Sequence, residues 1–84
     1  MTKTQLQKYI ERNSNIDFNF NSKRYGIVNA PNKNKKLEIN FWEWNNTDNF
    51  YFKFSDFSDF ETNAKINGLS VVEILKNIDD ADVF

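Results

Sequence analysis

The side chains that carry most enzyme chemistry near neutral pH are missing from this sequence. It contains neither cysteine nor histidine, which removes thiolate nucleophiles, disulfides, the usual structural zinc sites and the most common general base. A catalytic site would have to be built from Asp, Glu, Lys and Tyr alone. We therefore expect a protein that is not an enzyme and that uses no metal or other cofactor.

Two acidic clusters are the remaining candidates for ion binding or catalysis. Asp56, Asp59 and Glu61 occur in SDFSDFE, but magnesium sites usually take their carboxylates from separate elements. Acidic residues near a helix start interact favourably with its positive end, so we assign these three to helix capping. The second cluster lies in the ending DDADVF and consists of Asp79, Asp80 and Asp82. It fits either a solvated tail or a phosphate-mimicking surface that competes for a basic nucleic-acid-binding groove.

Aromatic side chains are concentrated in one stretch, NFWEWNNTDNFYFKF, residues 40–54. It holds seven rings in fifteen residues, more than the core of so small a domain can absorb. Trp and Tyr are frequent at the energetic centres of protein interfaces. Lys33, Lys35 and Lys36 precede the stretch and would complete a single-strand binding platform if bases stacked on the rings. The sequence pI of about 5.3 is far below the usual basic footprint of such proteins.

Charge is distributed unevenly along the chain, although the net charge is only −1. Residues 1–36 hold eight of the eleven Lys and Arg residues but only two of the twelve Asp and Glu residues. Such asymmetry fits either a charged partner surface or two oppositely charged halves that fold against each other.

The first half of the chain predicts a helix followed by strands. Thr2 and Gln5 form a capping box at the start of the helix. Alternating apolar and polar residues then predict a hairpin with its turn at residues 21–24, in which Phe20 faces Tyr25. Two more strands are predicted before and after the turn NNTD.

The second half changes to helical spacing. Ser58 with Glu61, and Ser70 with Glu73, predict the starts of two short helices. The order is therefore α-β-β-β-β-α-α over residues 1–84. It indicates a single α+β domain in which an antiparallel four-stranded meander carries its helices on one face.

Register in the third and fourth strands decides which rings meet solvent. If NNTD is a four-residue loop, Trp42 lies opposite Tyr51 and Ile39 lies opposite Phe54. The predicted helix face then contains Leu37, Ile39, Phe41, Phe52 and Phe54. The predicted open face contains Trp42, Trp44, Tyr51 and Lys53, together with Glu38 and Asn40. A one-residue slip would exchange the two sets, and we prefer the first register because it buries Leu37 and Ile39.

Three roles are possible for the rings on that open face. They form a contact surface, or the C-terminal tail or the APNKNKK loop covers them, or they only stabilise the sheet as cross-strand pairs.

The C-terminal third resembles a pattern in small uncharacterised proteins of low-GC Gram-positive bacteria and their phages. The matching residues are Ile66, Asn67, Gly68, Ser70, Val71, Glu73 and Ile74. The resemblance implies an accessory protein of a phage or mobile element, a class that includes anti-CRISPR inhibitors. It assigns no functional residue.

Together these observations predict a protein-binding module of the host-cell cytoplasm that acts stoichiometrically on a larger host protein with a basic surface, such as a defence nuclease. Trp42, Trp44 and Tyr51 would anchor the complex. The acidic residues expected around them are Glu38, Glu43, Asp48, Asp79, Asp80 and Asp82. The alternative is a single-stranded nucleic-acid binder that uses Lys33, Lys35 and Lys36 with the same rings. Self-association through the rings or an open edge strand is a third hypothesis. No apolar run is long enough to predict a membrane span.

Overall fold

A computed structural model describes residues 1–30, 33–34, 36, 38–45 and 50–84. The helices are α1 (Lys3–Glu11), α2 (Phe57–Asn63) and α3 (Val71–Lys76), and the strands are β1 (Ile16–Phe20), β2 (Lys23–Asn29), β3 (Ile39–Glu43), β4 (Tyr51–Phe54), β5 (Lys65–Ile66), β6 (Leu69–Ser70) and β7 (Asp82–Val83). The predicted α+β class, with an N-terminal helix, an antiparallel meander and C-terminal helices, is confirmed. No helix among these residues is long and apolar enough to cross a bilayer.

The first helix begins as its sequence predicts. Thr2 Oγ1 accepts a hydrogen bond from the Gln5 backbone N–H at 3.1 Å, and Gln5 Oε1 accepts one from the Thr2 N–H at 3.0 Å. These reciprocal bonds satisfy two donors that the first helical turn leaves free. Leu6 and Ile10 then point into the core and are buried.

The main sheet has one strand more than the sequence predicts. Its order is β4-β3-β2-β1-β7, and every neighbouring pair is antiparallel. The added strand β7 comes from the acidic ending of the chain. Backbone hydrogen bonds between Asn15 and Phe84, at 2.8 and 3.2 Å, extend its pairing with β1. The ending is therefore part of the sheet and not a solvated tail.

The turn between β1 and β2 is shorter than predicted. Phe18 lies opposite Tyr25, and Phe20 lies opposite Lys23, so the predicted Phe20–Tyr25 pair is wrong. Asn21 and Ser22 alone make the turn, both with positive φ (52° and 65°), as two-residue hairpin turns of this hand require. The register error is two residues, and a shift of two keeps every side chain on its predicted face.

One face of the main sheet packs against all three helices. Strand residues of this helix face and apolar residues of the helices form a single cluster of buried side chains. Phe41 is at its centre, with ring centroids 5.8 Å from Tyr25, 5.4 Å from Phe50 and 6.3 Å from Phe60. The predicted burial of Ile39, Phe41 and Phe54 is confirmed. Phe52 was expected in the same core but is 49% exposed on the edge strand β4, where its ring packs against Phe50. Leu37 lies outside the described residues.

The two C-terminal helices begin in different ways. Asp56, not Ser58, caps α2, and its carboxylate accepts the Asp59 N–H at 2.7 Å. Ser70 stands at the start of α3 as predicted, but its side chain makes no capping bond. A short hairpin of β5 and β6 leads into α3, with Asn67 and Gly68 at positive φ in its turn.

Candidate protein-binding face

The open face is the side of the main sheet opposite the three helices. The predicted register of β3 and β4 is confirmed: Trp42 lies opposite Tyr51, and Ile39 lies opposite Phe54. On the other side of β3, Gly26 lies opposite Trp42. The Trp44 backbone N–H donates to the Arg24 carbonyl oxygen at 2.8 Å. Main-chain pairing on β3 therefore fixes the positions from which both indole side chains project.

Trp42 rests directly on the neighbouring strand. A Cβ atom added to Gly26 would lie 2.5 Å from Trp42 Cζ2, which is well inside van der Waals contact. Glycine is needed at this position because the six-membered part of the indole covers the backbone there. The contact leaves Trp42 half-buried and restricts its rotation.

The other two rings of the cluster pack against Trp42 and remain accessible. The Trp42 and Trp44 ring centroids are 5.5 Å apart in an edge-to-face arrangement, and those of Trp42 and Tyr51 are 6.3 Å apart and nearly parallel. Trp44 is 44% exposed and Tyr51 is 51% exposed. Cover by the C-terminal segment was one interpretation of the sequence, but this segment pairs with β1 at the far edge of the sheet.

A buried amide fixes the third ring. The Tyr51 hydroxyl donates to Asn40 Oδ1 at 2.6 Å, and Asn40 Nδ2 donates to the Glu38 carbonyl oxygen at 3.2 Å. Asn40 is only 2% exposed, so these bonds satisfy polar atoms that would be costly to bury alone. The bond restricts Tyr51 without covering its ring.

The cations that lie on the open face beside the rings are in ion pairs. Arg24 Nη2 is 2.9 Å from a carboxylate oxygen of Asp82 and 3.5 Å from one of Asp17. Its hydrogen bond to Asp82 is the main cause that raises the pKa of Arg24 above its ordinary value. Lys53 Nζ is 3.5 Å from a Glu38 oxygen.

Several acidic residues that the sequence placed around the rings lie elsewhere. Glu43 lies opposite Tyr25, on the helix face, where its side chain is 10% exposed and 3.7 Å from Lys23 Nζ. Burial, and secondarily Glu43, raises the pKa of the Tyr25 hydroxyl. Asp79 lines a hollow beside α1. Asp80 is exposed in the connection before β7, and Asp48 lies outside the described residues.

The described lysines of the predicted platform lie at the opposite end of β3 from the exposed Trp44. Lys33 and Lys36 are exposed in the connection between β2 and β3, whereas Lys35 lies outside the described residues. This connection leads into the start of β3, and Trp44 follows the end of that strand. Five residues at about 3.3 Å each put them roughly 17 Å apart along the sheet.

A second apolar surface lies on the helix side. Phe20, Leu69 and Ile74 line a hollow of about 480 Å³ between the end of β1 and α3. Leu69 at its rim is 53% exposed. Its lining residues make no ring contact with the open face, so it provides an independent control surface.

The sequence did not predict which residues support the rings. Gly26 carried a signal, since glycine within a strand often marks a close approach to the backbone. Asn40 and Arg24 carried none, because their partners are set by the register across several strands. Comparison with protein-family models, with curated proteins and with solved structures finds no match to this chain.

Proposed function

We propose that this protein is a binding module that docks onto another protein through its open face. The observation that carries the proposal is the ring cluster, in which Trp42 contacts Trp44 and Tyr51 while the latter two keep about half of their surface exposed. Rings that are positioned before binding reduce the ordering cost of association. Trp and Tyr are also enriched among the residues that dominate interface energies.

The charges beside the rings favour a protein over a nucleic acid. Phosphate binding requires cations that are available to the backbone of the ligand. On this face, Arg24 is paired with Asp82 and Asp17, and Lys53 with Glu38. The exposed lysines of the β2–β3 connection are at the other end of the strand. A ligand that reached both would have to run the length of β3, roughly 17 Å.

The same charges also indicate the chemical character of the partner's contact surface. The carboxylates of the open face already have cationic partners within the chain, and Glu43 and Asp79 lie on the helix side. We therefore propose a contact patch with an apolar or aromatic centre and a polar rim, and expect its affinity to depend only weakly on salt. A basic host protein, an inhibitory role, a cytoplasmic location and the absence of catalysis stay predictions from the sequence.

Site-specific cross-linking tests this proposal. Asn19 is exposed on the open face, opposite Arg24, and replacing it with p-benzoylphenylalanine leaves the rings intact. We expect irradiation in a lysate of the source cells to give a saturable adduct with one protein. Excess unlabelled wild-type chain should compete, and so should Leu69→Ala, the control on the helix side. The double variant Trp44→Ala/Tyr51→Ala should not compete.

Equal competition by the double variant would contradict the proposal, provided that circular dichroism shows the variant folded. Titration with a single-stranded oligonucleotide addresses the alternative. Quenching of tryptophan fluorescence that weakens as salt is added would support nucleic-acid binding instead.

A further inference from the structure

We infer that two copies of this chain associate through the outer edge of β4, which joins their sheets into one. This inference does not depend on the proposed function, because it concerns the edge of the sheet and not its open face. The two edges of the sheet differ. At one edge β7 has two residues, and its Asp82 is held by Arg24, whereas β4 has four residues and three of them are exposed.

Backbone pairing shows which groups β4 offers. The Glu43 N–H donates to the Phe50 carbonyl oxygen, and hydrogen-bonded pairs alternate along an antiparallel ladder. Phe52 and Phe54 therefore also direct their backbone groups toward β3. The N–H and C=O groups of Tyr51 and Lys53 point away from the sheet, and no described residue hydrogen-bonds to them.

These outward groups suit one occupant, an extended strand. Two residues spaced i and i+2 present the donor and acceptor pattern by which a further antiparallel strand is added. Side chains reinforce this pattern on both faces of the edge. Tyr51 is exposed on the open face, and Phe52 is 49% exposed on the helix face, with its ring centroid 5.0 Å from that of Phe50.

The charge of the edge is compatible with a second copy in one particular register. In a two-fold antiparallel pair, Lys53 of one copy must not face Lys53 of the other, because like charges directly opposite each other are destabilising. That condition is met when Tyr51 of each copy exchanges hydrogen bonds with Lys53 of the other. Each ammonium group then lies near a tyrosine ring, a favourable arrangement, and remains close to its own Glu38.

The same register places Phe52 of one copy directly opposite Phe52 of the other. It lies on the two-fold axis as a non-hydrogen-bonded pair, the position at which facing side chains come closest. Pairing would bury an aromatic side chain that the monomer leaves half exposed. The net charge of −1 gives two copies little overall repulsion.

Disulfide trapping tests both the association and its register. The chain has no cysteine, so Phe52→Cys can form a disulfide only between copies. Facing residues of a non-hydrogen-bonded pair are within disulfide reach, whereas Tyr51→Cys and Lys53→Cys would each meet their own counterpart only along a diagonal. We expect Phe52→Cys to form a covalent dimer at least several-fold faster than either control.

Molar mass in solution provides the second arm. We expect light scattering of the wild-type chain to rise toward the dimer mass with concentration. Lys53→Pro removes an outward N–H without disturbing β3 and should give a monomer, while Lys53→Ala keeps that N–H and should dimerise. Trp44→Ala changes the open face but leaves every residue of β4 in place, so it should also dimerise, which separates this inference from the proposed function.

Three results would overturn the inference. The first is a wild-type chain that stays monomeric at every concentration, which would leave the edge to a strand of another protein or to solvent. The second is equal or faster cross-linking at the control positions. The third is a dimer that Trp44→Ala dissociates and Lys53→Pro does not, because that pattern would assign association to the open face.

Discussion

The two faces of this sheet carry aromatic rings that are held in different ways. On the helix face, Phe18 and Phe41 are wholly buried and are held by non-directional packing from many sides. On the open face, Trp42 is held by its contact with Gly26 and Tyr51 by one hydrogen bond to Asn40. Packing in a core makes each ring essential for stability. A partly exposed ring with a single ring contact, such as Trp44, can be removed at modest cost, which leaves it available for binding.

The largest expected difference between the faces comes from removing one ring from each. Phe41→Ala should lower the free energy of unfolding by about 3–5 kcal/mol, because it leaves a cavity where four rings meet. Trp44→Ala should cost about 1 kcal/mol, since it loses one edge-to-face contact and a partly exposed surface.

Urea denaturation measures both changes. If Phe41→Ala does not fold, Phe41→Leu can replace it in the comparison. It keeps most of the side-chain volume and should cost under about 1.5 kcal/mol. A Trp44→Ala loss as large as that of Phe41→Ala would show that the open face belongs to the core.

A smaller effect is expected from the glycine under the indole. Gly26→Ala forces its new methyl group against the Trp42 ring, and overpacking of this kind typically costs about 1–3 kcal/mol. The cost should shrink in a Trp42→Ala background, because the obstructing ring is then absent. A double-mutant cycle by urea denaturation measures this coupling. Strictly additive changes would rule out the contact as the reason for glycine at this position.

The smallest effect should come at alkaline pH and from the helix face. Burial raises the pKa of Tyr25 above its ordinary value of 10.0, so the folded state holds this proton more tightly than the unfolded state. The resulting stability is fully present below pH 10 and is lost as pH rises through the folded-state pKa. The urea midpoint of the wild type should therefore fall above pH 10 more than that of Tyr25→Phe. Parallel falls in wild type and Tyr25→Phe would contradict this assignment.

Sequence patterns predicted features that are local or that depend on how side chains alternate between the two faces of a strand. The capping box of α1 needs only residues three apart, and the β3–β4 register follows from keeping Ile39 inside and Lys53 outside. The same parity argument assigns Glu43 to the helix face beside Phe41, so its correct position was available from the sequence. Expecting it among the contact residues ignored that alternation.

Two features left no such pattern in the sequence: a tight turn without glycine and a strand that pairs with a distant part of the chain. Asn21 and Ser22 both adopt positive φ, although neither is the glycine that usually marks such a turn. Strand β7 has two residues and is paired through main-chain bonds near Asn15, which any sequence could supply. The site could be predicted as a set of rings, but not the contacts that fix them.

The central claim is that this chain leaves its own open-face rings accessible, and hydroxyl-radical footprinting tests it most directly. Oxidation of each side chain, measured by mass spectrometry on the folded protein, reports its exposure. We predict fast oxidation of Trp44, slower oxidation of Trp42, and protection of Phe18 and Phe41. Protection of Trp44 equal to that of Phe41 in the isolated chain would contradict the account, because it would mean that the face is already covered.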